Sequence, residues 1–120
     1  MDRIWQVSFH VAGTLTADLD IKWIMPVDCQ LIHVSADNST AYAAGLSLGT
    51  STDATAYLTK CNIGVSGAPV EKTRTNFVGT QYPHITHDTI IAIALDFNYN
   101  GGGAANASAD VTLVLTFAEG

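Results

Sequence analysis

His84-Ile-Thr-His87 comes closest to a metal-binding pattern in this chain, because neutral imidazole nitrogens are good zinc ligands. On an extended segment, residues three apart point to opposite faces, so the rings do not converge on one ion. Turn or interface histidines are the expected role. Asp18 and Asp20 fall on one face of a strand and offer carboxylates of the kind calcium takes. A calcium site needs about six oxygens, however, and Asp18-Leu-Asp20 lacks both the glycine turn and the third ligand of a loop site. A solvated acidic face is the simpler reading, and no metal or other cofactor is expected.

Nucleophilic and hydrolytic chemistry finds equally little to work with. Ser, His and Asp are all present, but Gly64-Val-Ser-Gly67 is one position short of the Gly-x-Ser-x-Gly elbow and reads as a turn. Glycoside hydrolysis wants paired carboxyl groups in a cleft, and the glutamates here are Glu71 and Glu119, far apart in sequence. Gly101-Gly102-Gly103 is followed by neither Lys-Ser/Thr nor a helix, so it is no phosphate loop. With no convergent nucleophile, base and oxyanion donors, the chain is not expected to be an enzyme.

Contact chemistry is better represented. Arg74-Thr-Asn-Phe-Val-Gly-Thr-Gln-Tyr-Pro-His84 mixes Arg, Phe, Tyr and His, residue types favoured at interface hot spots, in a loop-like stretch. Its Arg74, Asn76, Phe77, Tyr82 and His84, with Asp2 and Arg3 at the start of the chain, are the candidate partner contacts. The alternative for Phe77 is that it covers the core.

Composition sets the frame around these residues. At 120 residues the chain fits one domain, residues 1–120, large enough to bury a core. It is 48% hydrophobic and only 13% charged, where a quarter is usual, so part of the surface is expected to be covered by partners. The net charge of -6, with the basic residues Arg3, Lys22, Lys60, Lys72 and Arg74 scattered, argues against nucleic acid as a ligand. No apolar run approaches the roughly 18 residues of a membrane span, and no membrane partner is expected. Met1-Asp2-Arg3 leads straight into Ile4-Trp5-Gln6-Val7 without the apolar core of a signal segment. Cys29 and Cys61 could form one bridge, but a secreted disulfide scaffold is normally smaller and richer in cysteine, which favours free thiols.

Period-two patterning dominates the chain. Trp5, Val7, Phe9 and Val11 alternate with polar residues in a first strand, and Leu15, Ala17, Leu19, Ile21, Trp23 and Met25 predict a long second strand ending at Pro26. Further strands are predicted at Gln30 to Ala36, with Ile32 and Val34 on one face, at Leu46 to Leu48, and at Val70 to Asn76. The segment Ala54 to Lys60 fits a short strand or a helical turn. Thr89 to Phe97 and Asp110 to Phe117 are the clearest core strands, and the glycine-rich run between them is predicted to be a mobile loop. The expected core is Trp5, Val7, Phe9, Leu19, Ile21, Ile32, Val34, Leu48, Ile91, Ile93, Leu95, Val111, Leu113, Leu115 and Phe117. About eight strands without helices predict an all-β, antiparallel, jelly-roll-like sandwich.

Several of these pieces carry a resemblance. Gly49-Thr-Ser, Asp53, Ala56-Tyr-Leu58, Ile63-Gly-Val-Ser-Gly67, Pro69-Val70, Pro83-His-Ile85 and Val111-Thr112 to Phe117 with Glu119-Gly120 resemble small tailed-phage capsid decoration, or cement, proteins. The resemblance covers most of the chain from Leu46 onward and consists of turn and strand signatures. It implies a homotrimer made in the host cytoplasm that binds the major capsid protein on the outer surface of the virion, near local three-fold positions, and strengthens the shell. Such proteins often carry an extended N-terminal arm, whereas here Met1 to Arg3 precede the first strand. The other reading of the same signatures is a receptor- or glycan-binding β domain of a phage tail fibre.

Overall fold

The structure, a computed structural model, describes residues 3–97, 99 and 107–120. These residues form nine strands and no α-helix: β1 (Ile4–Thr14), β2 (Leu19–Ile24), β3 (Cys29–Asp37), β4 (Gly45–Thr50), β5 (Leu58–Asn62), β6 (Val70–Lys72), β7 (His84–Ile85), β8 (Ile90–Asp96) and β9 (Ala109–Glu119). All strand pairs are antiparallel: β1 with β9, β2 with β8, β3 with β6 and β7, and β4 with β5. Those pairs are nested, as in one long hairpin. Rolling that hairpin up adds the cross pairs β3 with β9 and β4 with β8, which closes two sheets in the orders β1-β9-β3-β6 and β2-β8-β4-β5. This is the jelly-roll arrangement that the alternating pattern predicts.

Parity explains which residues meet between the sheets. Val111, Leu113, Leu115 and Phe117 of β9, Leu31, Val34 and Ala36 of β3, Ile91, Ile93 and Leu95 of β8, and Leu46 and Leu48 of β4 are all buried. Each sits in a strand with neighbours on both sides. Trp5, Val7, Phe9 and Val11 of β1 and Leu19, Ile21 and Trp23 of β2 also face inward but remain half-buried, because both strands are sheet edges on the same flank. Aromatic rings bridge that flank: Trp5 stacks on Phe117 with centroids 4.7 Å apart, and Trp23 meets Phe117 edge-on at 5.8 Å. The buried Trp23 Nε1 finds no acceptor among the described residues.

Three expectations need correction, and one left open is resolved. Ile32 is half-buried and outside the core, because the register of β3 on β9 shifts between Leu31 and His33. An extra residue at such a bulge inverts the parity that follows. The long second strand is also shorter than predicted. β1 bulges around Ala12 and Gly13 (φ 80°) and ends at Thr14, and the chain crosses from one sheet to the other before β2 starts at Leu19. Sheets lie about 10 Å apart, so no straight strand can serve both. Val70 to Asn76 is strand only to Lys72, since Thr73 N–H donates to Asn76 Oδ1 and the chain tightens into a 3-10 turn, Arg74–Asn76. Ala54 to Lys60 divides into a turn and the start of β5. The glycine-rich loop expected to be mobile lies largely outside the described residues.

Candidate contact surface

The register places several of the proposed contact residues along one sheet edge and end. Ile4 pairs with Ala118, Ala118 with Gln30, and Gln30 with His84, so Ile4 and His84 lie in one row across β1, β9, β3 and β7. The adjacent row, Trp5, Phe117 and Leu31, is the one that faces the core, which turns Ile4 and His84 outward. Arg3 is exposed just before β1, where its carbonyl accepts from Glu119 N–H at 2.7 Å. With Ile4, Trp5, Pro26, Val27 and Glu119 it lines an open cleft of about 300 Å³. Asp2 lies outside the described residues.

Arg74 and Asn76 are exposed on the 3-10 turn that follows β6, and Tyr82 is 40% exposed just before β7. Phe77 is not a surface residue. It is 3% exposed and belongs to the core cluster, so the covering role holds for it and the contact role does not. The segment follows β3 toward its first residue, because Val34 pairs with Lys72 of β6 and Gln30 with His84 of β7. The loop between them therefore presents a run of exposed residues, Arg74 to Asn76 and Val78 to Tyr82, held by buried Phe77 and Pro83.

The candidate contacts left out exposed aliphatic residues. Ile4 is 68% exposed, Ile24 61% and Ile90 41%, and Ile24 and Ile90 are direct cross-strand partners on the outer face of β2 and β8. The available signal was an apolar residue at a position of polar parity. Ile4 stands next to inward Trp5, and Ile24 next to inward Trp23.

The two histidines do not share the extended segment expected of them. His84 sits on β7, whereas His87 lies in the turn beyond it and engages Asp28, whose Oδ1 accepts from the His87 backbone N–H at 2.8 Å and lies 2.9 Å from its Nδ1. The backbone hydrogen bond is the main reason the Asp28 carboxyl is held below its usual range, and the side-chain hydrogen bond to Asp28 raises His87. Asp18 and Asp20 do not share a strand face. Asp18 precedes β2 and accepts from Phe97 N–H at 3.0 Å, while Asp20 is exposed on β2. Among the described residues no group of three or more His, Cys, Asp or Glu side chains converges for a metal ion.

Gly64-Val-Ser-Gly67 forms the turn expected of it: Ala68 N–H donates to Val65 C=O, and Ser66 and Gly67 both take positive φ, 54° and 74°. That is the primed turn that suits antiparallel neighbours. Cys29 and Cys61 are free thiols. Cys29 is fully buried, and burial pushes it up to about 11.

No protein-family model matches the chain, and no curated protein is similar to it in sequence. Its fold is similar to that of a solved chain described as "Cyanophage Pam1 capsid asymmetric unit", with a TM-score of 0.59 and 18% sequence identity. The match covers 99% of this chain and 85% of that one. At that identity the likeness is one of fold.

Proposed function

We propose that this chain is a structural protein of a phage virion that binds the outer surface of the assembled capsid as an oligomer and stabilises the shell. The observation that carries this reading is the fold likeness to a chain of the cyanophage Pam1 capsid, which runs through nearly the whole of this chain. The decoration role, the outer placement and the homotrimer are drawn from the sequence resemblance of the segments from Leu46 onward. A surface short of charge, with exposed Ile4, Ile24, Ile90 and Tyr82, supports a protein that works by contact rather than by catalysis.

In this reading the mechanism is passive. A protein that binds only the assembled lattice adds its binding free energy to the shell and not to free capsid subunits. Each oligomer spans several capsid subunits, so modest contacts sum to a firm clamp. Arg3, Arg74, Asn76, Tyr82 and His84 supply the polar part of that contact.

The test compares survival of heat and osmotic shock by particles with and without the protein. Decorated particles are expected to survive longer, and equal survival removes the stabilising role. Arg74→Glu is expected to lower occupancy, and full occupancy by that variant moves the contact away from the 3-10 turn.

A further inference from the structure

Every open sheet has edges, and proteins guard them with charge, proline, bulges or shortness. Three of the edge strands here follow that rule. β2 carries Asp20 and Lys22, β5 carries Lys60, and β6 is only 3 residues long with Glu71 and Lys72. β1 does not. It runs for 11 residues, Ile-Trp-Gln-Val-Ser-Phe-His-Val-Ala-Gly-Thr, with no Asp, Glu, Lys, Arg or Pro, and its bulge comes only after Val11.

The backbone groups on that edge that have no partner strand among the described residues can be identified. Arg3 C=O accepts from Glu119 N–H, so in the register of β1 on β9 the residues bonded to β9 are Trp5, Val7, Phe9 and Val11. In an antiparallel ladder the alternate residues turn both backbone groups the other way. Ile4, Gln6, Ser8 and His10 therefore present N–H and C=O along the edge, and all four are exposed. Beside them lie the inward apolar side chains of β1 and β2 that stay half-buried.

We propose that β1 pairs antiparallel with β1 of a second copy, about a two-fold axis at Val7. This register matches all four outward residues: Ile4 with His10 of the second copy and Gln6 with its Ser8, each twice by symmetry. Shifting by one hydrogen-bonding step in either direction loses one of these positions to Asp2 or to the bulge. On the inner face the same register sets Trp5 opposite Phe9 of the second copy and Val7 opposite itself. These are non-hydrogen-bonded pairs, whose Cα atoms approach to about 4.5 Å and whose aromatic side chains contribute most.

The occupant is a second copy because of charge. Chains of net charge -6 repel one another, and β1 is the long edge along which two of them meet without facing like charges. Seven paired residues span about 24 Å, and two sheet layers with their side chains are roughly 20 Å deep, which gives roughly 500 Å² per copy. A standard stable interface buries about 800 Å² per partner, so the contact belongs to the weak class and needs high concentration. The contact is isologous and does not depend on the capsid reading. If trimers form on a shell, it joins neighbouring trimers in pairs.

Sedimentation equilibrium of the purified chain over about 10 to 500 µM, the range in which weak interfaces populate, reads the contact without any capsid present. A monomer–dimer equilibrium is expected. Gln6→Lys with Ser8→Lys, which puts like charges opposite each other across the axis, is expected to weaken it at least tenfold while leaving the circular dichroism spectrum unchanged. In a Cys61→Ser background, Val7→Cys is expected to oxidise to a reducible dimer, and Val11→Cys, which faces Arg3 of the second copy in this register and not its own counterpart, is expected to stay monomeric. A monomer throughout the range, an association indifferent to the paired lysines, a three-fold species, or cross-linking at Val11 in preference to Val7 overturns the proposal.

Discussion

Leu113 and Val114 are adjacent on β9 and should respond very differently to truncation. Leu113 is fully buried, paired with Phe9 on one side and Ala36 on the other, whereas Val114 faces outward between Ser8 and Ser35. Leu113→Ala removes three carbons from the core, which forfeits about 2.4 kcal/mol at about 0.8 kcal/mol per methylene-sized group. A residual cavity of about 60 Å³ adds about 1.4 kcal/mol at roughly 24 cal/mol per Å³. The expected loss is about 4 kcal/mol, a large share of the roughly 5 to 15 kcal/mol that stabilises a domain. Val114→Ala removes half-buried surface and is expected to cost less than about 1 kcal/mol. Urea unfolding measures both, with the slope against denaturant checked for constancy so that the midpoint shift reports stability. Equal costs at the two positions, or a Leu113→Ala cost below about 1 kcal/mol, would refute the register that places alternate residues of β9 in the core.

Asn38 is 1% exposed, donates from Nδ2 to Gly64 C=O at 2.8 Å, and accepts at Oδ1 from the Thr40 N–H and hydroxyl, so Asn38→Leu breaks these three hydrogen bonds and leaves the half-buried Thr40 N–H without its acceptor. A cost of about 2 to 4 kcal/mol is expected, with faster amide exchange at Thr40, and unchanged exchange there would count against the network. The exposed Asp28–His87 pair predicts a pH signature. Its His87 component is complete below the ordinary histidine value of 6.5 and is lost as pH rises through the raised value. Its Asp28 component is present above the ordinary 3.8 and is lost as pH falls through the lowered value, so the pair is complete between those limits. Nuclear magnetic resonance titration of His87 should give a midpoint above 6.5 that returns toward 6.5 in Asp28→Asn and in high salt, and identical midpoints in the two proteins would exclude the pair.

The sequence by itself determined the class of fold and the inward faces of its clearest core strands, β8 and β9. Alternation in β1, β8 and β9 identifies the inward face because a strand's side chains have a period of two, whatever the strand pairs with. It also marked Gly64-Val-Ser-Gly67 as a turn, since that depends on local geometry, whereas His87 is placed by a turn that bonds the distant Asp28. It did not determine how deeply an inward residue is buried. Trp5 and Leu113 have the same parity, yet one sits on an edge strand and the other between two neighbours.

Tertiary structure alone decided the rest. The bulge in β3 that removes Ile32 from the core exists only relative to β9, and Phe77 became a core residue because the loop carrying it folds back onto the sandwich. The row joining Ile4 to His84 links positions 80 residues apart through two other strands, and the unguarded edge of β1 is an edge only because β2 departs into the other sheet. Period and turn chemistry are properties of neighbouring residues and can be read along the chain. Register, edge status and burial depth are properties of pairs of strands, and they come into being only when distant segments meet.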